Sequence, residues 1–200
     1  MGVYKLSAAG GLATPRTNYS SFLAGNPAVR FNSYESIQTV TLSSSQANIT
    51  FSSIPATFKH LQIRGIARTS TAGTIGGFSI QLNGDTGANY AVHLLQGDGA
   101  SAVASAQAST SDPYPAVAPG STAGANIFGG MIFDVLDYAN TNKYKTIRAL
   151  AGGDLNGSGQ LRFGSTLWQN TAATTSIKLY DFNGGNLVQY TSFALYGIKG

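Results

Sequence analysis

Apolar residues in this chain return at every second position, and no long segment carries them at the i, i+3, i+4, i+7 spacing of an amphipathic helix. Side chains alternate across a strand, so a period of two means extended chain with one face turned to a core. In "FSIQLN" Phe78, Ile80 and Leu82 share a face, and in "QLRFGSTLWQ" Leu161, Phe163 and Leu167 do. "VQYTSFALYGI" sends Val188, Tyr190, Ala194, Tyr196 and Ile198 to one side and Gln189, Thr191, Phe193 and Leu195 to the other, a strand expected to be covered on both faces. "IQTVTL", "NITFSSI", "FKHLQIRGIA", "NYAVHLL", "GGMIFDVLDY", "YKTIRAL" and "TSIKLYDF" complete the set. About ten strands separated by turn residues predict an all-β fold, a jelly-roll-like β-sandwich over residues 35–200.

Two segments break the pattern. Residues 1–34 scatter Tyr4, Leu6, Leu12, Tyr19, Phe22, Leu23 and Phe31 among Gly10, Gly11, Pro15, Gly25 and Pro27, with no period. Such residues are too far apart to build a core, yet each costs roughly 1.5–3 kcal/mol to leave in water. The segment reads as an extended N-terminal arm that a partner surface covers. Residues 97–126 are rich in Ala, Ser, Gly and Pro and read as a long surface loop.

Charged residues make up only 10% of the chain, and the net charge of +4 is spread along its length. A nucleic-acid binder concentrates such charge in a stripe, so no nucleic-acid partner is expected. The one local cluster, Lys143, Lys145 and Arg148, follows the turn "DYANTN" and reads as a solvated edge strand. There is no cysteine, which excludes disulfides and thiolate metal sites. No apolar run is long enough for a signal peptide or a membrane span, so the expectation is a chain made in the cytoplasm with no membrane partner.

"GGDLNGSGQL" places Asp154, Asn156, Ser158 and Gly159 where a calcium loop has its first ligands, but Ser165 stands where that loop needs a bidentate Glu. Asn156-Gly157 is better explained as the centre of a β-hairpin, since both residues tolerate positive φ. "DFNGGN" and "LNGDTG" repeat the same turn chemistry. Of the two histidines, His60 alternates with Gln62 and Arg64 and is expected to face solvent, while His93 lies in another strand. The chain has a single Glu, Glu35; Asp134 and Asp137, three apart, fall on opposite faces of a strand, and Asp85 and Asp98 sit in turns beside Gly. No nucleophile elbow or carboxylate pair emerges. Trp168 and the tyrosines are read as core or sheet-covering aromatics before a sugar-stacking surface. The expectation is therefore no enzyme, no catalytic residue, no metal and no cofactor.

The segments "ITFSSIPATFKHLQIRGIAR", "LNGDTGANYAVHLL", "DYANTNKYKTIRALAGGDLNGSG" and "YTSFALYGIKG" resemble a family of small virion structural proteins of tailed bacteriophages, across roughly residues 37–200. The resemblance implies a virion location, other virion proteins as partners and a homo-oligomer, a trimer by analogy with jelly-roll proteins on local symmetry axes. It carries no cofactor and no catalytic motif. Two functions fit it: a capsid decoration (cement) protein held on the major-capsid lattice by the N-terminal arm, or a tail-fibre or tail-tip module that binds a host glycan.

Overall fold

The computed structural model describes residues 33–200, so the seven apolar residues of the arm, Tyr4 to Phe31, lie outside it. Twelve strands and no helix occur among the described residues: β1 (Tyr34–Thr41), β2 (Asn48–Phe51), β3 (His60–Ala67), β4 (Ile75–Leu82), β5 (Tyr90–Gly97), β6 (Ala102–Thr110), β7 (Ala116–Pro119), β8 (Gly129–Leu136), β9 (Lys145–Asp154), β10 (Gly159–Trp168), β11 (Ile177–Asp181) and β12 (Ser192–Ile198). They form two antiparallel sheets, one of eight strands in the order β1-β12-β3-β8-β9-β10-β5-β6 and one of four in the order β2-β11-β4-β7. The fold is the expected all-β sandwich, with unequal sheets.

The core lies between the sheets. Phe51, Ile80, Leu82 and Leu179 of the small sheet and Ile63, Phe133, Ile147 and Leu195 of the large one are fully buried. Phe78 of β4 ties them together, with its ring 6.4 Å from that of Phe133 and 5.7 Å from that of Phe193. Gly65 is required here, because a Cβ on it would stand 2.3 Å from the Phe193 ring and from the Ser192 carbonyl.

All ten sequence-derived strands are present, and two more occupy the segment read as a loop. Residues 97–126 hold β6 and β7. β7, "AVAP", is buried at every position, its small side chains fitting beneath the large sheet where Pro119 meets Gly129 and Gly153. β6 is exposed at eight of its nine positions and is held by backbone pairing with β5, a bond that needs no apolar pattern and leaves none in the sequence.

The Asn-Gly turns divide. Leu155 N–H donates to Ser158 O at 2.9 Å around Asn156 (φ 61°) and Gly157 (φ 102°), a hairpin between β9 and β10 as predicted. Asn83 and Gly84 have the same positive φ, at 52° and 64°, but join β4 to β5, which belong to different sheets. "DFNGGN" likewise begins the crossing from β11 to β12. Local chemistry makes the corner; which sheet receives the next strand depends on distant partners.

Candidate binding face

The four-stranded sheet covers one side of the eight-stranded sheet, and among the described residues no element covers the other. On β10 the face that Leu161, Phe163 and Leu167 share is the outer one, and Trp168, read as a core aromatic, is buried. Leu161 and Phe163 point outward, at 59% and 50% exposure, while Arg162, Gly164, Thr166 and Trp168 point into the sandwich. Trp168 decides the parity: its ring stacks on Tyr90 at 6.3 Å and its Nε1–H donates to Asp85 Oδ2 at 2.7 Å. Arg162 follows it inward, where its guanidinium donates to Gln96 Oε1 at 2.7 Å and to the Tyr114 and Ala116 carbonyls. The mixed pattern of a Trp and an Arg on the parity opposite Leu161 and Phe163 was the signal available in the sequence.

The outward positions form rows across the strands. One runs Arg64, Ile132, Leu150, Phe163, Leu95 from β3 to β5, each in register with the next. The adjoining row is Ile66, Gly130, Gly152, Leu161, Gly97. Depressions follow from the missing side chains, one of about 490 Å³ bounded by Arg64, Gly130, Ile132, Leu150, Gly152 and Leu161. Ile66, Leu95, Leu150, Leu161 and Phe163 are each about half exposed. At roughly 100 Å² apiece they make an apolar patch of about 500 Å², within the size of the largest patch on an ordinary monomer, which is often a functional surface.

On the other side of the first row is a polar ladder. Gln62 Nε2 donates to Asp134 Oδ1 at 2.7 Å, Arg148 donates to Asp134 Oδ2 at 3.2 Å, and Arg64 Nε donates to Gln62 Oε1. The Arg64 guanidinium lies 5.6 Å from the centre of the Tyr34 ring, which meets Tyr196 edge-on. Between ladder and patch is a depression of about 280 Å³ that has Asp134, Arg148 and Gln62 on one wall and Leu150 and Phe163 on the other.

The remaining sequence candidates fall elsewhere. Asp134 is in the ladder, whereas Asp137 (φ 47°) ends the strand and takes ion pairs from Lys59 at 2.8 Å and from Lys143. These bonds, that of Lys143 first, pull its carboxyl down to about 2. His60 shares a face with Gln62 but is only half exposed, its Nδ1 accepting the Asp137 N–H at 2.9 Å; His93 is exposed on the outer face beside Ser165. Asp85 and Asp98 close turns, accepting from Gly87 N–H and from Ala100 and Ser101 N–H.

The basic cluster is dispersed. Lys145 is completely buried and donates to the carbonyls of Asn140, Lys143 and Thr171 at 2.6, 3.0 and 3.0 Å, so the reading of it as a solvated edge residue is overturned. β9 is interior to its sheet, which gives it an inward face that the count of charges does not reveal. Burial, with Lys143 nearby, lowers the Lys145 pKa. Among the described residues no three His, Cys, Asp or Glu side chains gather to hold a metal. No protein-family model, curated protein or solved structure matches this chain.

Proposed function

We propose that this chain is a structural protein of a bacteriophage virion, a capsid decoration protein that binds the major-capsid lattice through its N-terminal arm and assembles as a homo-oligomer. The observation that carries the assembly role is the uncovered apolar face, Ile66, Leu95, Leu150, Leu161 and Phe163. A sheet that turns Arg162 and Thr166 inward and Leu161 and Phe163 outward is built to meet a second surface. Burying about 500 Å² of apolar area is worth roughly 12 kcal/mol gross before the costs of association. The virion assignment rests on the resemblance carried by residues 37–200.

The test uses full-length chains and the particles of the phage that encodes them. Wild type co-sediments with particles; the arm variant Tyr19→Ser/Phe22→Ser/Leu23→Ser remains in the supernatant with an unchanged melting curve. Binding of the arm variant at wild-type level would remove the arm from the assignment. Failure of wild type to bind any particle would remove the decoration role.

A second reading is favoured by one feature of the face. The half-exposed Phe163 ring beside Gln62, Asp134 and Arg148 offers a flat apolar surface next to directed donors and acceptors, the pairing that a sugar ring and its hydroxyls require. In this tail-tip role host glycan titrates into the protein and Asp134→Ala abolishes the signal; no signal with wild type eliminates the reading.

A further inference from the structure

We infer that the outer face of the eight-stranded sheet is closed by a second copy of this chain, related by a two-fold axis that runs across the strands between the two outward rows. The inference concerns the isolated protein and does not depend on the virion reading.

The rows are complementary to each other. Ile132, Leu150 and Leu95 project from one, and Gly130, Gly152 and Gly97 stand beside them on the same strands in the other. An axis crossing β9 at Ala151 brings Leu150 of one copy over Gly152 of its partner. By the same operation Ile132 meets Gly130, Leu95 meets Gly97, and Phe163 meets Leu161. Three of these four pairs set a large side chain against a glycine, that at Gly152 sharing its space with the Leu161 side chain, and the fourth, Phe163 with Leu161, is apolar on apolar; the pattern maps onto itself, as an isologous contact demands. The hole at Gly130 is real space: a Cβ placed there has nothing within 4 Å.

Charge obeys the same symmetry. Arg148 and Asp154 lie three positions on either side of Ala151, both exposed and both on the outer face. The axis therefore sets Arg148 of each copy against Asp154 of the other, twice per dimer. Among the described residues Asp154 has no cationic partner within its own chain, and Arg148 is only singly bonded to Asp134. With the axis one row to either side, at Ala149 or Gly153, Arg148 would oppose Leu150 or Ser158 and the charge pairing would be lost.

Area supports the same occupant. A stable dimer hides about 800 Å² per partner with an apolar centre and a polar rim. The apolar patch supplies roughly 500 Å² of this, and the ladder of Gln62, Asp134 and Arg148 with Asp98 and Asp154 supplies the rim.

The experiment is light scattering and sedimentation equilibrium of the full chain up to about 100 µM. Wild type is expected to be a dimer that dissociates on dilution and with added salt. Gly130→Val starts from a Cβ position with nothing within 4 Å and suits a strand, so it is expected to keep the thermal melt of dilute protein while weakening dimerisation at least tenfold. Asp154→Lys, which sets Lys against Arg148 of the partner, weakens dimerisation likewise, and Asp154→Asn, which keeps an acceptor for the Asn156 N–H, is its control for the turn. Wild type that is monomeric throughout, or trimeric as the virion resemblance implies, overturns the inference. So does Gly130→Val that dimerises as wild type does.

Discussion

Replacing Lys145 by Met tests whether a buried cation with no counter-ion holds this fold together. The Nζ group spends its three donors on carbonyls from three places, Asn140, Lys143 and Thr171, tying the turn after β8 to the segment that follows β10. Hydrogen bonds to a charged donor contribute about 1.5–3 kcal/mol each, which for three sets a gross loss of about 4.5–9 kcal/mol. Removing the buried charge returns its desolvation cost of several kcal/mol, and Met refills most of the volume. What remains is three carbonyls buried without donors, and the net destabilisation is about 3 kcal/mol. For a chain of this size that lowers the melting temperature by about 6–12 °C. Urea unfolding should show an earlier midpoint at unchanged slope. Lys143→Met is the control, since its ion pair with Asp137 is half exposed on the lysine side and screened by solvent, and its loss should cost far less. If Lys145→Met is as stable as wild type, or if Lys143→Met costs more, the carbonyl cage is not what stabilises this corner.

Asp137 gives a pH signature. Its folded pKa of about 2 lies below the ordinary value of 3.8, so its stabilising contribution is complete above about pH 4 and lost as pH falls towards 2. Asp137→Asn should flatten the stability curve over that window and leave its shape at higher pH unchanged, measured by urea midpoints in a pH series. Gly157→Ala should destabilise by about 1 kcal/mol through backbone strain alone, because φ is 102° and a Cβ there touches nothing. Gly65→Ala and Gly130→Ala are a matched pair on β3 and β8: the first forces a methyl into Phe193 and costs about 1–3 kcal/mol, whereas the second leaves dilute protein as stable as wild type or more so. Equal melting temperatures for the pair would contradict the packing described for both faces.

Much of this architecture was legible in the chain. Alternation located ten strands, because a strand between a core and water must change polarity at every step. Asn156-Gly157 named its hairpin, because positive φ at two successive residues is a local demand that few pairs of residues meet. What failed were the places where a side chain's role is set by something far away in sequence. β6 has no apolar face to announce it and exists because β5 offers a hydrogen-bonding edge. Lys145 has the sequence surroundings of a surface lysine and is buried because β9 is flanked by β8 and β10.

The arm residues Tyr4 to Phe31 remain what the sequence makes them, apolar groups without a period. The binding face shows the division most clearly. Period-two alternation fixes that Leu161 and Phe163 share a side, since that follows from the pleat of the strand itself. Which side is turned to the core is a competition between the two faces of β10, and Trp168 on Tyr90 with Arg162 on the Gln96 amide and the Tyr114 and Ala116 carbonyls wins it. Those partners come from residues 90–116, brought alongside only when the sheets close. The tertiary structure thus leaves the apolar row outside, next to glycines contributed by three other strands, and it is this juxtaposition, absent from any single segment, that makes a surface able to receive a partner.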